Sequence, residues 1–455
     1  MTRTARQSSR FARRRAGLVS SLTAASLAAG ALTLGSPVAT AAPCDTWPPQ
    51  ATGGSGSLGS LGGGSGSAGS SSNPTATPWK TGTSGYIPVL EGRTQTVELL
   101  TGRTSPNDTV DRFGIQGTDL GILWDGGDGT TYMALGDTFG DCSLPGEQWR
   151  SNILFRSSDR NLADGMRIVD APMESPGVAK SILPRSNKPG ETTVIPTAGV
   201  GIGGTQYLRY MSVATWGEPG EWVTNYSALA KSTDRGENWT PVQGTVRLGT
   251  GSEALVPEEL TVDGEDLPSQ PQAQMSAFLK VGGYVYEYQT PSGRSGQAVL
   301  ARVPEAQIEN PDAYVYWDGA DWVADPDAAA RVIPAPVSEL SVDWNDYLGK
   351  YIALYTDARN NIVMRQAAKP EGPWGQLRIL LSHQAIPTMY GAYIHPWSSD
   401  STLYYTMSTW DAYNVFLMKT DLTGLAESAF ARSSAPADPV DTGEQKLVER
   451  IPIPE

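Results

Sequence analysis

Cysteine and histidine are nearly missing from this chain of 455 residues: Cys44, Cys142, His383 and His395 are the full complement. Two imidazoles are too few for a zinc enzyme and give little room for a histidine-based nucleophilic triad. Basic residues are also in deficit, with 34 Lys and Arg against 48 Asp and Glu, a net charge of −14. Six of the arginines (Arg3, Arg6, Arg10, Arg13, Arg14 and Arg15) sit in the first fifteen residues, and without them the balance is 28 − 48 = −20. So acidic a chain, with no basic stripe interleaved with aromatics, repels phosphate backbones, and no nucleic-acid partner is expected. The acidity itself serves solubility. Long segments with a 3.6-residue apolar period are lacking too, which argues against a helical protein. What is plentiful is 50 Gly, 33 Pro, 13 Trp and 18 Tyr, the turn and strand formers of an exported all-β protein.

The arginine-rich start is followed by an Ala/Leu-rich run that ends in "SPVATAAP". Ala39-Thr40-Ala41 fits a small-x-small cleavage site, so residues 1–41 read as a secretory signal peptide. An uncleaved anchor is the competing reading. A lipoprotein fits less well because Pro43 precedes Cys44, and Arg13-Arg14-Arg15 resembles a twin-arginine export signal only weakly. The expected location is therefore secreted or envelope-associated, as a monomer with no stable membrane insertion after cleavage. In such a compartment Cys44 and Cys142 are most simply a disulfide. Residues 42–84 include "ATGGSGSLGSLGGGSGSAGSSS", which cannot bury a core and reads as a flexible tether. A folded domain is expected over 85–432, and the Pro-rich residues 433–455 read as a tail or strap.

Within 85–432 one module recurs. "TYMALGDTF", "QYLRYMSVATW", "YVYEYQT", "KYIALYTD" and "LYYTMSTW" are short aromatic strands, each followed by a second apolar strand. Five such pairs separated by Gly, Pro, Asn and Asp turns predict a five-bladed β-propeller. A large sandwich would not predict the same pair five times. One repeat contains "STDRGENW", in which Ser232, Asp234, Gly236 and Trp239 match the Asp-box turn of sialidase-like propellers. That motif is read as a structural turn, with Asp capping backbone and Trp packing beneath. A sialidase would also need an arginine triad, and none is marked out.

The chemistry points to "GTDLGILWDGGDGTTYMALGDTF", residues 117–139. Folding it as a hairpin about Asp128 places Leu123 opposite Met133, Gly121 opposite Leu135 and Asp119 opposite Asp137. Opposed like charges are destabilising in a purely structural sheet. Two juxtaposed carboxyls drive their pKa values apart, so that one keeps a proton while the other is ionised, as glycosidic cleavage requires. A calcium site and two loop-capping Asp residues are the alternatives left open by the hairpin alone. Neither an organic cofactor nor a catalytic metal is expected, and a structural calcium stays possible in principle. "SELSVDWNDYLGKYIALYTD" contributes Glu339, Asp343, Trp344 and Asn345; "YGAYIHPWSS" and "MSTWDAYNVF" contribute Tyr390, Tyr393, His395, Trp397, Trp410 and Asn414. As a cluster these aromatic and amide groups suit stacking on sugar rings and bonding to their hydroxyls.

"GTDLGILWD…YMALGDTFG", "SVDWNDYLGKYIALYT" and "YGAYIHPWSSD…LYYTMSTWDAYNVFLMKTDL" resemble the domain-of-unknown-function family 4185, over approximately residues 90–425. Several members of that family are grouped as glycoside hydrolase family 183. The resemblance implies a five-bladed propeller acting as an endo-D-arabinanase. Its substrates would be the internal α-D-arabinofuranosyl bonds of arabinogalactan and lipoarabinomannan in mycolate-type envelopes. It also implies inversion at the anomeric centre and two essential Asp residues, matched in position and spacing by Asp119 and Asp137. The sequence does not assign acid and base, although Asp137 is the slightly favoured acid. A non-catalytic glycan-binding propeller, a sialidase-like enzyme and an exo-acting glycosidase are the other readings.

Overall fold

A computed structural model describes residues 85–141, 148–183, 185–186, 188–426, 440–442 and 445–453. The expected leader and tether, and the proposed Cys44–Cys142 pair, lie outside these residues.

The fold is a five-bladed β-propeller. Blade 1 is built from Leu120–Asp125, Thr131–Leu135, Ile153–Ser157 and Ile168–Asp170, and blade 2 from Thr193–Ile202, Thr205–Trp216 and Trp222–Ser232 with short outer strands. Blade 3 comprises Met275–Val281, Tyr284–Thr290, Ala298–Pro304 and outer pieces, and blade 4 comprises Ser338–Asn345, Lys350–Thr356, Ile362–Ala367 and Arg378–Leu381. Blade 5 takes Met389–Ile394, Thr402–Thr409 and Asn414–Asp421 from the end of the domain and its outermost strand, Thr94–Leu99, from the beginning. The five recurring strand pairs of the sequence are thus the second and third strands of the five blades. They are buried along almost their whole length, with apolar residues on both faces between neighbouring blades, as stacked sheets require.

The ring closes where the two ends of the domain meet. Thr94–Leu99 pairs antiparallel with Asn414–Asp421, and the Thr94 hydroxyl donates to the carbonyl of Leu380 at 2.7 Å. Outside that seam, Tyr86–Glu91 pairs with Lys446–Pro452, so the C-terminal segment runs back along the first strand. Among the described residues, no helix is long and apolar enough to cross a membrane.

The Asp-box segment forms the turn expected of it. The Ser232 hydroxyl donates to Asp234 at 2.7 Å, Asp234 accepts the amide of Asn238 at 2.9 Å, and the Trp239 indole donates to the Gly236 carbonyl at 3.0 Å. Its carboxylate is spent on its own loop.

Candidate active site

The first hairpin shows how the site is made. Asp125 pairs with Thr131, Leu123 with Met133 and Ile122 with Ala134, as the sequence predicts. The register then slips, because Leu120 and Gly121 adopt left-handed backbone (φ 70° and 84°), and Leu120 rather than Gly121 faces Leu135. This is a β-bulge, a device that re-aims the side chains beyond it. Blade 5 accounts for the glycine: a Cβ at Gly121 would lie 2.9 Å from Val415 Cγ1, and Thr406 Oγ1 donates to the Gly121 carbonyl at 2.7 Å. The expected direct opposition of Asp119 and Asp137 is therefore corrected. The Asp119 carbonyl accepts the Gly136 amide at 3.2 Å, and Asp137 lies one residue further on.

Both carboxyls nevertheless enter one funnel at the face where the inner strands begin. Asp119 and Asp137 come from blade 1, Thr197 from blade 2, Met275 from blade 3, Leu340 from blade 4 and Tyr393 from blade 5. The loop joining the second and third strands of blade 2, from Trp216 to Trp222, forms one rim, and Trp410 and Tyr413 form another. A second, more polar hollow lies at the opposite mouth of the central channel, and Thr197, Leu340 and Tyr393 line both.

The two carboxyls have different surroundings. Asp119 Oδ2 accepts the Tyr390 hydroxyl at 2.9 Å, while its buried Oδ1 has no hydrogen-bond partner. Burial, and then the charge of Asp137, push the Asp119 pKa up to about 8, against a small opposing effect from the Tyr390 hydrogen bond. Asp137 Oδ1 accepts the Thr193 hydroxyl at 2.7 Å, which ties blade 1 to the first residue of blade 2. Tyr390 and Tyr413 are held well above the ordinary phenol value by burial and then by Asp119, so both face the site as hydroxyls.

Gly136 makes room for this arrangement. A Cβ there would collide with Asp119 Oδ1 and lie 3.1 Å from Leu120 Cδ1. Gly136→Ala is expected to displace the Asp119 carboxyl, followed as a shift in its titration by carboxyl NMR. Overpacking should cost about 1–3 kcal/mol of stability, measured by denaturant unfolding.

A third carboxyl reaches the funnel. Glu339, at the start of the blade 4 inner strand with φ 48°, accepts Arg294 Nη2 at 2.5 Å and Nε at 3.2 Å, while its Oε2 is buried without a partner. The Arg294 guanidinium stands 5.2 Å from the Tyr390 ring centroid, and its backbone amide donates to the Gly220 carbonyl at 2.8 Å. The rim loop of blade 2, Arg294 of blade 3, Glu339 of blade 4 and Tyr390 of blade 5 are thereby linked.

Of the other residues singled out from sequence, Tyr390, Tyr393 and Trp410 line the funnel, with Tyr390 and Trp410 stacked at 4.7 Å. Trp344, Asn345, His395, Trp397 and Asn414 are not brought to it. Trp344 is 39% exposed, its indole donating to Asp346 at 2.8 Å, and Asn345 accepts the Leu348 amide at 2.9 Å in the next turn. These two end the blade 4 inner strand, and a strand carries its two ends to opposite faces of a propeller. His395 is fully buried, accepts the Trp397 amide at 3.3 Å and is kept neutral by burial, which lowers its pKa to about 4. Trp397 donates to Asp125 at the far tip of the first hairpin, at 3.2 Å. Asn414 pegs the seam, accepting from Thr101 at 2.8 Å and donating to the Ala412 carbonyl at 3.0 Å. Asp343 is also at the opposite mouth, its pKa raised to about 7 by burial. Sequence reading missed Arg294, Thr193, Tyr413 and the two rim tryptophans. "WGEPGEW", with an indole at each end of a Gly-Glu-Pro-Gly-Glu turn, was the available signal for the rim.

Among the described residues, no group of three or more His, Cys, Asp or Glu side chains is arranged to hold a metal ion.

Comparison with known proteins places the chain by sequence. "Notoamide biosynthesis cluster protein J" of Aspergillus sp. (strain MF297-2) is 28% identical over 321 residues, covering 66% of this chain and 81% of the fungal one. Its counterpart J' of Aspergillus versicolor is 26% identical over 319 residues, covering 66% and 82%. Among solved structures, an exo-beta-1,3-galactanase of Phanerochaete chrysosporium aligns with a TM-score of 0.43 and 10% identity over 74% of this chain and 66% of that one. The native arabinanase of Bacillus subtilis aligns with a TM-score of 0.37 and 12% identity over 68% and 98%. The pattern of the family described as "Domain of unknown function (DUF4185)" matches residues 104–419, from ahead of Asp119 to the last strand of blade 5, and this chain belongs to that family.

Proposed function

We propose that this protein is an exported glycoside hydrolase that cleaves internal α-D-arabinofuranosyl linkages of envelope D-arabinan by inversion. Asp119 serves as general acid and Asp137 as general base. The observation that carries the reading is the pair of carboxyls in one buried funnel with unlike surroundings. Asp119, with one oxygen unpartnered and its pKa raised to about 8, holds a proton at neutral pH. Asp137 accepts a hydroxyl hydrogen bond from Thr193, an arrangement suited to a carboxylate. A paired proton donor and proton acceptor is the requirement for displacement at an anomeric centre. This ordering reverses the slight preference for Asp137 as acid that the sequence suggested. The reason is the raised pKa of Asp119, whose buried Oδ1 has no hydrogen-bond partner. The D-arabinan substrate rests on the family resemblance of the motifs around both Asp residues.

In this mechanism Asp119 protonates the departing glycosidic oxygen and Asp137 takes a proton from the attacking water. Tyr390 fixes the Asp119 carboxyl through Oδ2, and the buried Oδ1, packed against Gly136, is left to hold the proton. Incubation with purified mycolate-type arabinogalactan should release oligosaccharides, and their length by chromatography separates internal from terminal cleavage. No release, with arabinan bound, would instead support a binding propeller. The pH profile is a further expectation: because the acid must be protonated, kcat/KM should decline as pH rises through about 8. A profile flat to pH 10 would remove Asp119 from that role.

A second reading is favoured by the wall of the funnel, where Ile195, Pro196, Met211 and Met275 present an apolar surface. The fungal relatives are named for a notoamide biosynthesis cluster. Acid–base chemistry on an apolar small molecule would use the same two carboxyls.

A further inference from the structure

The charge of the funnel is lopsided. Among the described residues its lining contains four carboxyl side chains besides the protonated Asp119 (Asp137, Glu218, Glu221 and Glu339) and a single cationic one, Arg294. Acid–base cleavage uses Asp119 and, of these four, only Asp137. Glu218 and Glu221 stand exposed on the rim loop between Trp216 and Trp222. Glu339 is only 8% exposed by side chain, and although Arg294 occupies its Oε1, the buried Oε2 has no partner. A buried carboxylate oxygen left unpaired is costly, and a ligand that supplies a donor or a positive charge recovers that cost. Besides its aliphatic wall the funnel has aromatic rings, with Trp216, Trp222, Tyr390, Tyr393, Trp410 and Tyr413 in its lining. Aromatic faces attract cations, most strongly where water is excluded. Arg294 itself stands over Tyr390 in this way, within the same cavity.

We propose that the funnel selects a substrate bearing an organic cation, a protonated or quaternary amine carried on the sugar chain or on its aglycone. The ammonium would sit between the rim carboxylates and Glu339, with the scissile bond beyond it at Asp119 and Asp137. This inference rests on the hydrolase reading only for calling the ligand a substrate. Its basis is the excess of negative charge among aromatic rings, which a neutral arabinan does not need.

The test uses the full-length protein and two probes of equal shape, choline and its uncharged carbon isostere 3,3-dimethylbutan-1-ol, titrated by calorimetry. Choline should bind at least about tenfold more tightly than the alcohol at low salt. Glu218→Gln with Glu221→Gln, at exposed positions that do not threaten folding, should reduce the choline preference, and Glu339→Gln should reduce it further. Affinity for choline should also rise with pH as Asp119 ionises. Asp137, Glu339, Arg294, Tyr390, Tyr393 and Tyr413 are the charged and titratable groups around Asp119, and the tyrosines remain neutral through that range. Equal affinities, tighter binding of the alcohol, or no choline binding would overturn the proposal. Hydrolysis of arabinogalactan by the same preparation is scored separately. Hydrolysis without choline preference refutes only this inference, and choline preference without hydrolysis refutes only the arabinanase reading.

Discussion

Asp119→Asn and Asp137→Asn should each lower kcat/KM on arabinogalactan by at least about a thousandfold, consistent with losing both a proton-transfer group and its positioning. Asn keeps the shape of the side chain and can still accept the hydroxyls of Tyr390 and Thr193, so neither variant should unfold. The two variants should differ in stability. Asp119 has a folded pKa of about 8 against an ordinary value of 3.8. A raised carboxyl pKa means that the folded state binds the proton more strongly than the unfolded state. The resulting stability is present below about pH 4 and is lost progressively as pH rises to about 8. Asp119→Asn removes that loss, so its melting temperature should exceed that of the parent at pH 8 and approach it at pH 4. Asp137→Asn takes away a charge that raises the Asp119 pKa, so Asp119 should titrate lower in that variant, as followed by carboxyl NMR. Full activity in either variant would sink the mechanism. An Asp119→Asn protein no more stable than the parent at pH 8 would show that the carboxyl is not held protonated.

Glu287→Gln should destabilise the propeller by about 3–5 kcal/mol, because it leaves buried guanidinium charge without compensation. Glu287 is fully buried in the middle strand of blade 3, and accepts Arg247 Nη1 and Nη2 at 2.7 and 2.8 Å and the Ser276 hydroxyl at 2.7 Å. Arg209 of blade 2 lies against it at 3.3 Å and is itself 1% exposed. The arginines Arg247 and Arg209 hold the Glu287 carboxyl far below the usual carboxylate range despite its burial. A depressed pKa reverses the sign found for Asp119: its stabilisation is present above the ordinary value of 4.5 and lost as pH falls below it. Urea unfolding near neutral pH should show the full loss, and the gap between variant and parent should narrow in acid. A loss below about 1 kcal/mol would mean that water reaches the two arginines once the carboxylate is gone. Ser276, which bonds Glu287, lines the funnel, so the cluster also anchors one wall of the site.

The repeated strand pairs were legible because each blade needs the same short apolar, aromatic-rich strands buried on both faces and bounded by turns, and that pattern is written locally. The Asp-box turn was legible for the same reason, since Ser232, Asp234 and Asn238 satisfy one another within seven residues. Asp119 and Asp137 were legible as a pair because a hairpin brings neighbours in sequence together. Their register was not. The slip at Leu120 and Gly121 answers to Val415 and Thr406 on blade 5, almost three hundred residues away. His395 and Trp397 looked suited to a sugar site beside Tyr393, yet a strand that begins at one mouth of the channel ends at the other. Within a single strand, Tyr390 and Tyr393 face the funnel, while the residues just after it do not.

The sequence by itself determined the blade count, the two carboxyls and the family, all of which depend on short-range pattern. Only the tertiary structure decided that the Asp119 pKa is raised, that Glu339 and Arg294 join the pair, and that Trp216 and Trp222 form the rim. Burial and electrostatic coupling are set by what four other blades place around a residue, and no local pattern of side chains specifies that.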